Sequence, residues 1–97
     1  MAAKILIKRQ FSEGQAGEIF SLLNKLRTKA RNQQGYITGE TLQEHNNPQK
    51  KLVIGTWEHI DNWFTWKEST ERRQLEAMLE IYQEGPTEYG EYVSVSK

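Results

Sequence analysis

The residues with most to offer chemically are three tryptophans and an arginine. Trp57, Trp63 and Trp66 are all the tryptophans of the chain and fall within ten residues, in the stretch GTWEHIDNWFTWKES from Gly55 to Ser69; Arg72 follows shortly after. Indole rings at this density serve one of two ends. They bury area in a chain short of aliphatics, or they wall a cavity for a flat ligand. With Ile60 onward read as helix, Ile60, Trp63, Phe64 and Lys67 share a face, and Trp66 lies at its edge in line with Trp63 and Thr70. The spacing places Trp63 and Phe64 in the core. Trp66 is then either an anchor over that core or the wall of a cavity between helix and sheet.

Other chemistry is sparse. The chain has no cysteine, which removes thiolate nucleophiles, disulfides and sulfur-ligated metals and fits a reducing compartment. Its two histidines, His45 in a turn and His59 at a strand-to-helix junction, pair with no carboxylate at a metal-ligand spacing, so no metal is expected. Glu71, Glu76, Glu80 and Glu84 read as a solvated helix face supported by Arg72 and Arg73. EGQAGE lacks the spacing of a phosphate loop. Thirteen basic against thirteen acidic residues leave no net charge, which argues against nucleic acid as partner. No apolar run approaches the roughly 20 residues of a membrane span, and MAAKILIKRQF is too short in its apolar part for a signal peptide; a cytoplasmic protein without membrane attachment is expected.

The elements that must position these residues follow from periodicity. Residues 1–97 read as a single domain. Lys4 to Phe11 is a strand around Ile5, Leu6 and Ile7. From Gln15 a helix places Ala16, Ile19, Phe20, Leu23, Leu26 and Ala30 on one face, with Gly35 suited to a left-handed C-terminal cap. Tyr36 to Glu44 and Lys51 to Trp57 make a hairpin through HNNPQ. A short helix carries the tryptophans, and Ser69 or Thr70 caps a further helix with Leu75, Met78, Leu79 and Tyr82, ended by Gly85 and Pro86. The tail TEYGEYVSVSK alternates as a last strand. The order is β-α-β-β-α-β, an α+β ferredoxin-like arrangement with a four-stranded antiparallel sheet and helices on one face.

Strand parity groups Ile5, Ile7, Tyr36, Leu42, Leu52, Ile54, Val93 and Val95 on one side of the sheet and leaves Leu6, Ile37, Val53 and Tyr92 on the other, with Gly39, Gly55 and Gly90. That second face is either wet or covered by a second copy of the chain; we favour a homodimer with facing sheets.

The spacing Trp-Glu-x4-Trp-x2-Trp-x2-Ser, Trp57 to Ser69, resembles that of the antibiotic biosynthesis monooxygenase family of dimeric α+β barrels, and FSEGQAGEI and GYITGETLQEHNNPQKKLVIGTWEH extend the likeness over the chain. The resemblance implies a cofactor-independent oxygenase in which a small aromatic, quinol or polyketide-like substrate, once ionised, reduces O2 itself. Trp66 and Trp63 would then wall the pocket, Tyr36 or Tyr92 donate a hydrogen bond, and Arg72 place positive charge near the anion. The family's haem-degrading branch would want an asparagine at or near Ile7 and an iron-ligating histidine within residues 72–80; neither is present, so haem is disfavoured. The alternatives are a non-enzymatic ligand-binding or structural dimer on the same fold, and a haem-binding relative without turnover.

Overall fold

The computed structural model describes residues 2–95. Its strands are β1 (Ala3–Gln10), β2 (Tyr36–Glu44), β3 (Asn47–Trp57) and β4 (Glu88–Val93); its helices are α1 (Ala16–Arg31), α2 (Ile60–Lys67) and α3 (Thr70–Glu80). The strands form one antiparallel sheet in the order β2-β3-β1-β4. This is the expected ferredoxin-like sheet, with the second helical passage divided in two. Ser69 makes the division: its side chain accepts a hydrogen bond from the Arg72 amide at 3.1 Å and caps the start of α3. The last strand stops at Val93, with Val95 exposed beyond it, and Ser96 and Lys97 of the expected strand lie outside the described residues.

The core lies between one face of the sheet and the helices. Strand β1 sends Ala3, Ile5, Ile7 and Arg9 inward in strict alternation, and Phe11 closes the row. Helix α1 buries Ile19, Leu22 and Leu26, a stripe rotated from the expected one, so that Phe20 is 67% exposed. Phe64 and Met78 also lie outside the core. Phe11 is locked where strand and helix ends meet: its amide donates to Gln49 O, and Gln10 O accepts from the Glu84 amide, each at 2.8 Å.

Register corrects the expected division of the hairpin's side chains. Ile5 pairs with Gly55 and Ile7 with Val53, while Leu6 pairs with Ile54. Leu52 and Ile54 therefore share the outer face with Leu6, and Gly39, Gly55 and Val53 look toward the helices; Leu42, opposite Leu52, goes outward too. A shift of one residue inverts every side chain of a strand. The true outer face, with Leu6, Leu42, Leu52, Ile54 and Tyr92, is more apolar than the sequence reading allowed.

Helix α1 ends at Arg31 with Asn32 as its cap, so Gly35 serves the turn into β2 instead of the helix. Gly35 has φ of +85°, and a Cβ there would sit 2.2 Å from the Asn62 side chain of α2. Gly14 has φ of +96° with nothing within 4 Å. Gly14→Ala should thus lose only the backbone term, about 1–2 kcal/mol. Gly35→Ala should lose clearly more, because Asn62 must also move; urea unfolding of both variants measures the difference.

Candidate active site

Between the helices and the inner face of the sheet lies a cavity of about 70 Å³. Its sheet side is Ile5, Ile7 and Val53 together with Gly39 and Gly55, a cross-strand pair with no side chains to fill the space. Trp57, Trp63 and Trp66 wall it, at 2%, 1% and 3% exposure. The three rings are therefore core and cavity lining at once. Trp57 packs edge-on against Tyr36, ring centroids 5.3 Å apart, and lies 6.0 Å from Trp63. Tyr36 reaches over β2, its hydroxyl standing 2.6 Å from where a Cβ of residue 39 would be, so a side chain at Gly39 would displace it.

The deep end of the cavity is charged. Arg9 from β1, Arg72 and Glu76 from α3 all line it and are all buried. One carboxylate oxygen, Oε2 of Glu76, accepts from Arg9 Nη2 at 2.5 Å and pairs as an ion with Arg72 Nη2, 3.0 Å away. Arg72 Nη2 also donates to the Tyr89 hydroxyl at 3.1 Å, and its guanidinium lies 5.0 Å from the Trp63 ring centroid and 5.5 Å from that of Tyr89. Arg9 Nε and Glu76 Oε1 have no hydrogen-bond partner among the described residues. Glu76 was expected on a solvated face; it is buried because positions 72, 75, 76 and 79 together form the inner stripe of α3.

The shallow end opens between α1 and β2. Arg27 spans the gap, donating to Gly39 O at 3.3 Å. Leu23, Arg27 and Thr41 are shared with an adjoining groove of about 690 Å³ that runs along α1 past Phe20 toward the hairpin. The inner cavity alone is smaller than the roughly 150 Å³ that holds benzene, so a flat ligand would occupy both spaces.

Of the residues singled out in the sequence, Trp63, Trp66, Tyr36 and Arg72 meet at this cavity. Tyr92 does not: it is 59% exposed on the opposite face of the sheet, its ring lying over Gly90. Arg9 and Glu76 are the lining residues the sequence reading missed. The parity of Ile5 and Ile7 already included Arg9. Among the described residues no group of three or more His, Cys, Asp or Glu is placed to hold a metal ion, and no helix is long and apolar enough to cross a membrane.

Behind Trp63 the indole Nε1 donates to Glu91 Oε2 at 2.8 Å, and Lys67 Nζ approaches the same oxygen at 2.7 Å. The Lys67 hydrogen bond first, and that of Trp63 second, hold the Glu91 carboxyl below its ordinary value of 4.5.

The fold is shared with proteins of known structure. Its fold is that of an antibiotic biosynthesis monooxygenase, with a TM-score of 0.87 at 12% identity over 97% of this chain and 99% of the other. SnoaB, a cofactor-independent oxygenase from Streptomyces nogalater, superposes with a TM-score of 0.85 at 14% identity over 99% and 95%. A conserved protein from Methanosarcina mazei Go1 gives 0.88 at 20% identity over 95% and 91%. The resemblance read between Trp57 and Ser69 holds at the level of the fold. No family model and no curated protein matches the sequence.

Because Glu91 titrates lower in the folded chain than in the unfolded one, its contribution to stability is full above the ordinary glutamate range and is lost as pH falls through the depressed value. Glu91→Gln should therefore be less stable than the parent chain at neutral pH, with the gap closing at acid pH. Thermal melts from pH 7 downward test this, and a gap that stays constant with pH contradicts it.

Proposed function

We propose that the chain is a cofactor-independent monooxygenase of the cytoplasm, working as a homodimer on a small aromatic, quinol or polyketide-like substrate. The observation that carries this reading is the cavity itself: three indoles and Tyr36 form flat walls, and Arg72 stands at the end where negative charge would develop. The fold shared with SnoaB supports it.

The chemistry asks little of the protein beyond binding, exclusion of water and stabilisation of an anion. An activated methylene between aromatic rings loses a proton, and the carbanion or enolate gives its electrons to O2. A peroxide forms at that carbon and collapses to a carbonyl. One oxygen atom stays in the product and the other leaves as water, so the substrate supplies all the reducing equivalents. Arg72, buried and pinned by Glu76 and Tyr89, is placed to favour the ionised substrate. Tyr36 offers a hydroxyl donor at the cavity wall.

The outer face of the sheet supports the dimer. Leu6, Leu52 and Ile54 at its centre, with Leu42 and Tyr92 exposed beside them, form an apolar surface that the helices leave uncovered. A second copy of the same face would cover it.

A second reading rests on the cavity's size. At about 70 Å³ the inner space is small for a multi-ring substrate, which favours a binding protein of the same fold that holds a ligand without turning it over.

Oxygen uptake with anthrone as probe separates the two. Turnover should exceed the uncatalysed rate and fall about tenfold or more in Trp66→Phe, a change that preserves an aromatic ring and hence the fold. Quenching of tryptophan fluorescence by anthrone without oxygen uptake would instead establish the binding protein. For the assembly, light scattering should give about twice the chain mass of 11.4 kDa. Ile54→Lys should shift the particle toward the monomer; a parent chain already monomeric at micromolar concentration refutes the dimer.

A further inference from the structure

Four aromatic rings stand in one unbroken row. Tyr36 meets Trp57 edge-on with centroids 5.3 Å apart, Trp57 lies 6.0 Å from Trp63, and Trp63 lies 6.1 Å from Tyr89. All three spacings are those of rings in contact. Tyr36, Trp57 and Trp63 line the cavity, whereas Tyr89 stands outside it on the edge strand β4, 37% exposed. The row therefore runs from the chamber to solvent. Packing accounts for the contacts but not for the polar groups gathered at the outer end. The geometry points to a redox relay, in which an oxidising equivalent that arises in the cavity passes through the indoles to Trp63 and leaves the protein at Tyr89. This goes beyond the proposed oxygenase chemistry and rests on it only for the source of the radical.

Electron exchange falls off exponentially with separation, so rings in contact exchange fastest. Trp63 is equipped to give up an electron, because its Nε1–H donates to Glu91 Oε2 at 2.8 Å. An oxidised indole is strongly acidic, and the carboxylate takes its proton across the hydrogen bond already in place, which leaves a neutral radical. Arg72 and Lys67 stand 5.0 and 6.0 Å from the Trp63 ring centroid, so the neutral form is the one their charges tolerate. Tyr89 then refills the indole. Its electron moves to Trp63, Glu91 returns the proton, and the phenol proton goes to water. Lys67 Nζ lies 4.4 Å from the Tyr89 ring centroid, and Arg72 Nη2 donates to the Tyr89 hydroxyl at 3.1 Å. Both cations penalise a positively charged ring and tie oxidation of Tyr89 to loss of its proton. A tyrosine that sheds its proton is more easily oxidised than tryptophan at neutral pH, which makes the outward direction downhill. In an oxygenase the oxidant is a peroxyl radical, formed when O2 adds to a substrate radical. The peroxyl radical gains one electron and one proton to become a hydroperoxide, and Tyr89 loses one of each. A soluble thiol restores the phenol by giving a hydrogen atom.

Flash photolysis of the intact chain tests the relay without any substrate. Light at the red edge of the indole band, where tyrosine does not absorb, ionises the tryptophans alone, with a cobalt(III) ammine as irreversible electron acceptor. The indolyl absorption should decay in step with growth of the tyrosyl absorption, at a rate independent of protein concentration. Tyr89→Phe, which keeps the ring, should slow that growth at least tenfold, and Tyr92→Phe, on the opposite face of the sheet, should leave it unchanged. A nitroso spin trap added to the parent chain, followed by peptide mapping, should place the adduct on Tyr89; this reading decides even if Tyr89→Phe does not fold. No tyrosyl growth, a rate that rises with protein concentration, undiminished growth in Tyr89→Phe, or an adduct on Tyr36 or Tyr92 instead would overturn the inference. Tyrosyl growth in a chain that takes up no oxygen with anthrone leaves the relay standing and removes the oxygenase reading, and oxygen uptake without tyrosyl growth does the reverse, so the two fail separately.

Discussion

The oxygen Oε2 of Glu76, shared by two buried guanidiniums, is the interaction around which the rest of the molecule is arranged. It joins Arg9 in β1 to Arg72 in α3, elements 67 residues apart in the case of Arg9 and Glu76. Neither arginine is tolerable where it lies without that carboxylate, and the carboxylate is equally intolerable without them. The cluster therefore ties α3 to the sheet at a defined point beside the apolar packing of Leu75 and Leu79. Arg72 then sets Trp63 and Tyr89 through its two ring contacts, and Trp63 in turn meets Glu91 and Lys67 at the edge of the sheet.

Space for the cavity comes from absence as much as presence. Gly39 and Gly55 face each other across β2 and β3 on the inner side, at the place where valine or isoleucine would complete an ordinary sheet-helix core. The tryptophans bridge what remains. Large rings at the end of β3 and in α2 span a gap that small aliphatics would leave collapsed, and two of them are held by a neighbour: Trp57 by Tyr36, Trp63 by Arg72. A chain with few aliphatic residues thus acquires both a core and a hollow from the same side chains.

Much of this was legible in the sequence, and the exceptions share causes. The alternation of β1 is strict, so its inner row could be read directly. The hairpin could not be read so simply: β3 carries Leu52, Val53 and Ile54 in succession, and an unbroken apolar run does not announce which parity faces inward. Glycine at 55 on the inner face made the wrong parity look richer. Helix α1 shows a similar ambiguity, with Phe20 and Leu22 competing for the stripe; Phe20 lost because it lines the outer groove. The site was half visible. Trp63, Trp66, Tyr36 and Arg72 carry types that suggest a pocket, but Arg9 and Glu76 look like surface residues until the faces they share with Ile5 and Ile7, and with Leu75 and Leu79, are taken more seriously than their charge.

The bridge from Arg27 to the Gly39 carbonyl has a kinetic meaning. It is a single, long, solvent-exposed hydrogen bond made by a flexible side chain, and such contacts contribute little and reform within nanoseconds. Releasing that carbonyl asks only for the swing of one side chain at the cavity's mouth, with no rearrangement of backbone. That contact should therefore break and reform far faster than a typical chemical step.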